Sequence, residues 1–179
     1  MSTLPNKVAV NVLCLPERNW QKNSWAESSS VVFRKCVPAP SRLEIGQARA
    51  RAYQEAIEDG FEYVGWVDDD DWCDHFYFTC LAEELDKRPD LAGICAPQVV
   101  SDKLGNTNKR EIASVKSFTT VKLAFFHGPC LWRASAIKNE LKYLHDFYGL
   151  DENRYFARHL QDKEYKLGSV FFLLSYLVR

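Results

Sequence analysis

Phe61-Glu62-Tyr63-Val64-Gly65-Trp66-Val67-Asp68-Asp69-Asp70-Asp71-Trp72 is the stretch that decides how this chain folds. An apolar strand pattern runs straight into four carboxylates and then an aromatic residue. Adjacent like charges repel, and a chain keeps them beside a buried strand mainly when a cation sits there. Oxygen ligands of this kind suit Mg²⁺ and Mn²⁺. In open α/β sheets, ligands bind at the carboxyl ends of strands, which is where these acids fall. The competing reading is a solvated acidic turn, the common fate of charge runs.

Upstream of this run, Val8 to Leu15 is a short apolar segment bounded by Pro5 and Pro16, which predicts a buried first strand. Pro16 to Glu27 is a polar loop carrying Trp20 and Trp25, and Ser30 to Val37 is a second strand. Leu43 to Asp59 is helical, with Ser41 and Glu44 as a capping box and Gly60 as the C-terminal stop. Ile45, Ala48, Ala52 and Ala56 share its apolar face, and Arg49 and Arg51 fall off it.

Downstream, His75 to Arg88 reads as a helix ended by Pro89, and Leu91 to Val100 as one strand. Two strands are expected around Ile112 to Phe118 and Val121 to Phe126. Leu131 to Ile137 leads into a short helix, Glu152 to Leu160 is helical, and the tail from Gly168 is one or two strands. Alternating strands and helices in the first half imply a mostly parallel, doubly wound sheet. The more β-rich second half makes it mixed. The expectation is a single domain over 1–179: an α/β fold with a mixed, mostly parallel central sheet flanked by helices.

Composition fits one soluble domain of 179 residues, 46% hydrophobic and 26% charged. A net charge of −1 argues against gripping nucleic acid by bulk electrostatics, though not against a local basic groove. The six cysteines, Cys14, Cys36, Cys73, Cys80, Cys95 and Cys130, form no C-x-x-C pair, and no long apolar leader opens the chain. Reduced thiols in a cytoplasm are expected. The longest apolar run, Val170 to Leu174, is too short to span a bilayer.

Several site types are excluded by pattern. Neither G-x-G-x-x-G nor G-x-x-x-x-G-K-[ST] occurs, so phosphates must be met by a metal or by arginines. Pro129-Cys130 lacks the second thiolate of a zinc deaminase. Cys73, His75 and Cys80 do not complete a structural zinc set, and no G-x-S-x-G elbow is present.

Taken in order, Ile45-Gly46-Gln47-Ala48-Arg49-Ala50, then Tyr63 to Asp71, then His127-Gly128-Pro129-Cys130-Leu131-Trp132-Arg133-Ala134-Ser135-Ala136-Ile137, then Tyr148 to Leu160 form a series. It resembles the GT-A glycosyltransferases of the family-two type. Their pattern is a helix with G-x-A-R-N, a strand ending in D-x-D-D, an apolar-R-x-S-A-I segment and a D-E-D-like helix start. Ala50 stands in place of the asparagine, and Asn153 in place of the second aspartate of the last segment.

The resemblance implies an inverting transfer of a sugar from a nucleotide diphosphate sugar, a UDP-sugar first, with Mn²⁺ or Mg²⁺ offsetting the charge on the leaving diphosphate. It implies Asp70 as a metal ligand, Asp68 facing the metal or the ribose, and Asp69 as the variable middle position. Asp71 becomes a contact beside the metal or the sugar, and Arg49 a nucleotide-binding residue. Inversion needs a base. Asp151 and Glu152 open a late helix whose dipole favours a carboxylate, with Asp151 preferred and Asp71 next after the pair. Ordinary N-terminal charge capping is the competing reading. His127 and Arg179 are assigned to the diphosphate.

The acceptor stays open at this level. One candidate is a saccharide. The other is a hydroxymethylated base in phage DNA, for which Lys103, Lys109, Arg110, Lys116 and Lys122 offer charge, and Trp20 and Trp25 offer stacking. Two rivals are a non-catalytic nucleotide-sugar or metal-binding module, and a nucleotidyltransferase. The second normally carries a glycine-rich basic loop after the first strand, and Pro16-Glu17-Arg18-Asn19-Trp20 is not one.

Overall fold

Val8, Val10 and Val12 turn to one side of the first strand and Ala9 and Asn11 to the other, and all five are buried. A strand covered on both faces belongs inside a sheet that carries helices on each side. The computed structural model describes residues 7–13, 31–36, 44–68, 72–73, 76–96, 98–101, 126, 128–149, 151–170 and 175–178.

Among these, the elements run β1 (Val8–Leu13), β2 (Val31–Cys36), α1 (Ile45–Glu58), β3 (Tyr63–Asp68), β4 (Trp72–Cys73), α2 (Tyr77–Lys87) and β5 (Leu91–Cys95). They continue with β6 (Gln98–Ser101), β7 (Cys130–Arg133), α3 (Ala134–Ile137), α4 (Leu141–Asp146), α5 (Glu152–Asp162), β8 (Lys166–Ser169) and β9 (Ser175–Val178). The main sheet has six strands in the order β2-β1-β3-β7-β5-β8. Its pairings are parallel except those of β7, which runs antiparallel between β3 and β5. A three-stranded sheet, β4-β9-β6, lies apart. The mixed, mostly parallel sheet expected from the sequence is present.

Two apolar layers cover the main sheet. Tyr53, Trp66, Trp132, Phe156 and Leu160 pack on the side of α1 and α5. Val10, Val67, Phe78, Leu81 and Leu85 pack on the side of α2. No helix among the described residues is long and apolar enough to cross a membrane.

Three expectations need correction. Leu91 to Val100 is not one strand: β5 belongs to the large sheet and β6 to the small one. The pairing with the first sheet stops at Cys95, and pairing in the second starts at Gln98. Arg49 is not off the buried face of α1, being only 4% exposed among Ala48, Ala52, Tyr53 and Ala56. Periodicity places a long charged side chain outside by default, whereas here a carboxylate waits inside. Helix α4 had no counterpart in the sequence reading; it is short, and only Leu141 and Leu144 in it are buried. The Ser41 cap, the basic stretch 102–125 and the loop with Trp20 and Trp25 lie outside the described residues.

Gly60 does end α1 as expected. It takes φ +89° while its N–H reaches the Ile57 carbonyl and the Phe61 N–H reaches that of Ala56, the two bonds of a Schellman stop. At the other end of α1, a Cβ on Gly46 would stand 2.6 Å from the Leu144 carbonyl oxygen. The missing side chain lets α1 and α4 touch backbone to backbone, and that approach sets Arg49 opposite the start of α5.

Candidate active site

β1, β2 and β3 end level with one another: Leu13 pairs with Asp68 on one side and with Cys36 on the other. Asp68, the first acid of the run, therefore stands at the carboxyl edge of the sheet, where ligands of open α/β sheets bind. Asp68 is 40% exposed at the side chain. Its Oδ1 accepts a hydrogen bond of 2.6 Å from Trp66 Nε1 and one of 3.1 Å from Arg49 Nη2.

Arg49 is the centre of this edge. Its Nε stands 2.9 Å from Glu152 Oε1, with side-chain exposures of 5% and 7% for the pair. The approach is an ion pair without an aligned hydrogen bond, since neither Nε nor Nη1 has a hydrogen-bond partner. The guanidinium lies over the Trp66 ring, 4.2 Å from its centre. Burial works against the charge, but Glu152 and Asp68 outweigh it and hold the Arg49 pKa above its ordinary value. One arginine on α1 thus ties the end of β3 to the first turn of α5.

The same neighbourhood contains further buried polar atoms with no hydrogen-bond partner: the Tyr53 hydroxyl, Trp132 Nε1, and both the Oδ1 and Nδ2 of Asn153. Buried polar atoms are nearly always satisfied, and those that are not call for a reason. Cys130 faces this group from β7. Burial, with Arg49 acting against it, leaves its thiol pushed up to about 12, and Cys95 is pushed well up by burial as well. Both are buried free cysteines that behave as packing groups.

Asp151 precedes α5 in the left-handed region, with φ 65° and ψ 28°. A non-glycine residue there is uncommon, though aspartate tolerates it better than most. Its side chain makes no capping hydrogen bond to the helix.

No family model matches the sequence, and no curated protein does. Solved structures do match it in fold. S. aureus TarS, residues 1–349, superposes with a TM-score of 0.58 at 13% identity, over 96% of this chain and 60% of that one. The same protein in complex with UDP-GlcNAc gives 0.60 at 12% identity, over 97% and 58%. GalNAc-T7 with UDP, GalNAc and Mn²⁺ gives 0.61 at 10% identity, over 98% and 44%. These neighbours are GT-A-type glycosyltransferases. The fold is GT-A. The chain spans less than two thirds of each of these structures.

In this GT-A frame, Arg49, Asp68 and Glu152 meet at the carboxyl edge of the sheet, and Asp151 adjoins them in sequence. Asp69, Asp70, Asp71, His127 and Arg179 lie outside the described residues. Among the described residues, no group of three or more His, Cys, Asp and Glu side chains stands ready for a metal ion. Sequence reasoning missed Trp66 and Gly46. Trp66 sits two residues before Asp68 on the same face of the strand, so period-two alternation was the signal that pointed to it. Gly46 was quoted within the motif without the reason for it, a helix contact distant in sequence.

Proposed function

We propose that the chain is a glycosyltransferase that moves a sugar from a nucleotide diphosphate donor, a UDP-sugar first, to an acceptor hydroxyl with inversion at the sugar. The carrying observation is Arg49 bridging Asp68 and Glu152 at the carboxyl edge of a GT-A sheet. An enclosed arginine that joins a donor-side acid to the helix of the candidate base is costly to build. Packing alone gives no reason for it.

The two bonds on Asp68 both fall on Oδ1, which leaves Oδ2 for a ribose hydroxyl or a cation. A half-exposed carboxylate oxygen is the hard donor that Mn²⁺ or Mg²⁺ takes, so the residue fits the ion. We assign Asp68 and Asp70 to hold it, with Asp69 and Asp71 beside them. When bound, the ion supplies charge neutralisation to the departing diphosphate. His127 and Arg179 are assigned to the same diphosphate, and Arg49 keeps its donor-side role by fixing Asp68.

We assign the base to Asp151. Glu152 is enclosed against Arg49, whereas Asp151 is partly exposed at the position that precedes α5. Held there, it can take the acceptor proton as the oxygen attacks the anomeric carbon. Asn153, which stands where the family pattern has a second aspartate, is 1% exposed and turned inward, so an aspartate there would not have met the acceptor.

The test is nucleotide release from a panel of UDP-sugars with Mn²⁺, beside calorimetric titration of UDP. Wild-type chain should bind UDP and release it from at least one donor, and Asp70→Ala should do neither. Absence of UDP binding in wild type, with or without Mn²⁺, would sink the reading.

A further inference from the structure

Exposed aromatic rings are unevenly spread on this molecule. Among the described residues the exposed large apolar side chains are Phe76, Tyr143, Tyr148 and Tyr155. Three of the four gather at one place, the outer side of α4 and α5. There a cleft of about 480 Å³ is lined by Tyr143, Phe147 and Tyr148 together with His159, Asp146 and Lys142. Ligand clefts commonly fall in the range of about 300–1,000 Å³. Clustered exposed rings mark an interaction surface, where single scattered ones do not.

We propose that this cleft is the acceptor subsite, and that it takes an uncharged oligosaccharide. The proposal rests on the glycosyltransferase reading for the word acceptor. The binding surface itself stands on its own observations.

The rings form a continuous row. His159 stacks on Tyr143 at 4.0 Å and 9°, Tyr143 lies 6.5 Å from Phe147, and Phe147 stacks on Tyr155 at 5.1 Å. The row is held rigid from below. Glu140, 9% exposed, accepts from His159 at 2.8 Å and pairs with Lys163 at 3.0 Å. The hydrogen bond from His159 and the charge of Lys163 hold the Glu140 carboxyl below its ordinary value against burial. A pre-ordered platform loses little entropy on binding.

The ligand class follows from ring faces and charge. The C–H faces of a sugar are apolar and weakly positive, so they lie on the negative face of an aromatic ring. Its hydroxyls then need donors and acceptors at the edges of those rings, which the tyrosine hydroxyls, Asp146 and Lys142 provide. Nucleobases also stack on rings, but the strand that carries them demands a surplus of cations. Here two acids, Glu140 and Asp146, face two lysines, Lys142 and Lys163. The balance suits a neutral chain and not a polyanion.

The row also runs along α5, the helix that Asp151 precedes. Tyr148 precedes Asp151 by three residues, and Tyr155 lies one helical turn after it. From Asp151 to His159 the helix rises about 12 Å at 1.5 Å per residue, room for more than one sugar ring.

Calorimetric titration of the full chain with chitotetraose, cellotetraose and maltotetraose at millimolar concentration tests the proposal, with oligo-dT as the polyanion. At least one tetrasaccharide should bind. Tyr148→Ser and Tyr155→Ser should each weaken it about tenfold or more, while Tyr155→Phe keeps it. Both tyrosines are half or more exposed, so the variants should melt with the wild type. No binding by any tetrasaccharide, binding indifferent to both serine variants, or oligo-dT binding lost in them overturns the proposal. So does a concentration-dependent dimer that Tyr148→Ser dissolves, since the patch would then be a protein interface. The UDP titration separates the two readings. UDP binding without tetrasaccharide binding refutes the cleft alone, and the reverse refutes the donor assignment alone.

Discussion

Arg133 and Arg49 sit at opposite edges of β3, the first across from Tyr63 where the strand begins, the second beside Asp68 where it ends. Arg133 donates to the carbonyls of Leu91, Leu85 and Arg88 and to the Tyr63 hydroxyl, so each of its nitrogens has an acceptor. The Tyr63 hydroxyl donates to Asp86 at 2.6 Å, and Lys7 closes the chain on the same carboxylate. Arg49 instead faces two carboxylates and a ring, and it leaves Nε and Nη1 without a hydrogen-bond partner. Neutral carbonyls around Arg133 ask only for geometry, and they lock α2, β5 and β7 together. Charged partners around Arg49 concentrate field where a diphosphate is proposed to leave. A satisfied arginine builds the frame, and an incompletely satisfied one marks the working edge.

The largest expected effect comes from exchanging each arginine for alanine. Arg49→Ala strands Glu152 in the interior, and breaking a buried pair in this way costs about 3–5 kcal/mol. Denaturant unfolding should show that loss, and UDP binding and sugar transfer should fall with it. Arg133→Ala should also lose stability, since each hydrogen bond to a charged group is worth about 1.5–3 kcal/mol. Its UDP affinity, measured well below the melting point, should stay at the wild-type value. If both variants lose UDP affinity alike, or neither does, the contrast between the two edges is wrong.

Asp151→Asn sharpens the working edge itself. Loss of a general base costs about 10²–10⁴-fold in turnover, and UDP affinity should not move. Glu152→Gln should instead lower stability and rate together, because it strips Arg49 of its enclosed partner. Steady-state rates beside UDP titrations distinguish the two. A full-rate Asp151→Asn would return the base to Glu152 or to Asp71.

A smaller effect is expected from Trp66→Phe, which keeps a ring under Arg49 and deletes the donor to Asp68 Oδ1. One hydrogen bond to a charged group, about 1.5 kcal/mol, corresponds to about tenfold in donor affinity. Unchanged UDP binding would mean that Arg49 alone orients Asp68.

The smallest effect concerns pH at the framing edge. Burial pushes the Asp86 carboxyl up, but the bonds from Lys7 and Tyr63 outweigh it and leave the folded pKa below the ordinary 3.8. Stability from this group is therefore complete above the unfolded pKa and is lost as pH falls through the lower folded value. Asp86→Asn should be slightly less stable than wild type at neutral pH and should converge on it in acid. The side chain is 46% exposed, so solvent screening keeps the difference small. Parallel urea titrations at neutral and acidic pH would show it, and curves that fail to converge would remove Asp86 from the frame.

Much of the fold was legible from residue order. β1, β2 and β3 announced themselves as apolar runs between breakers, α1 by its alanines and Gly60, and the acidic run by its place after a strand. Other features were not. The break between β5 and β6 follows from which sheet each edge finds, and β7 reads as an apolar strand with nothing local to say that it runs antiparallel. α4 is too short to carry a periodic signal. Arg49 was visible as a motif residue, yet its burial was not, because local pattern sends an arginine to water unless a distant acid meets it.

By itself the sequence determined the alternation of strands and helices, the position of four acids at a strand end, and two carboxylates at a late helix start. Those follow from local periodicity and from charges adjacent in the chain. The tertiary structure alone decided that Arg49 turns inward to meet Glu152, and that Tyr143 and Tyr148 share one cleft with Phe147, on which Tyr155 stacks. Each of these depends on contacts between residues far apart in sequence, and the energy of enclosing a charge is settled only when its partner arrives.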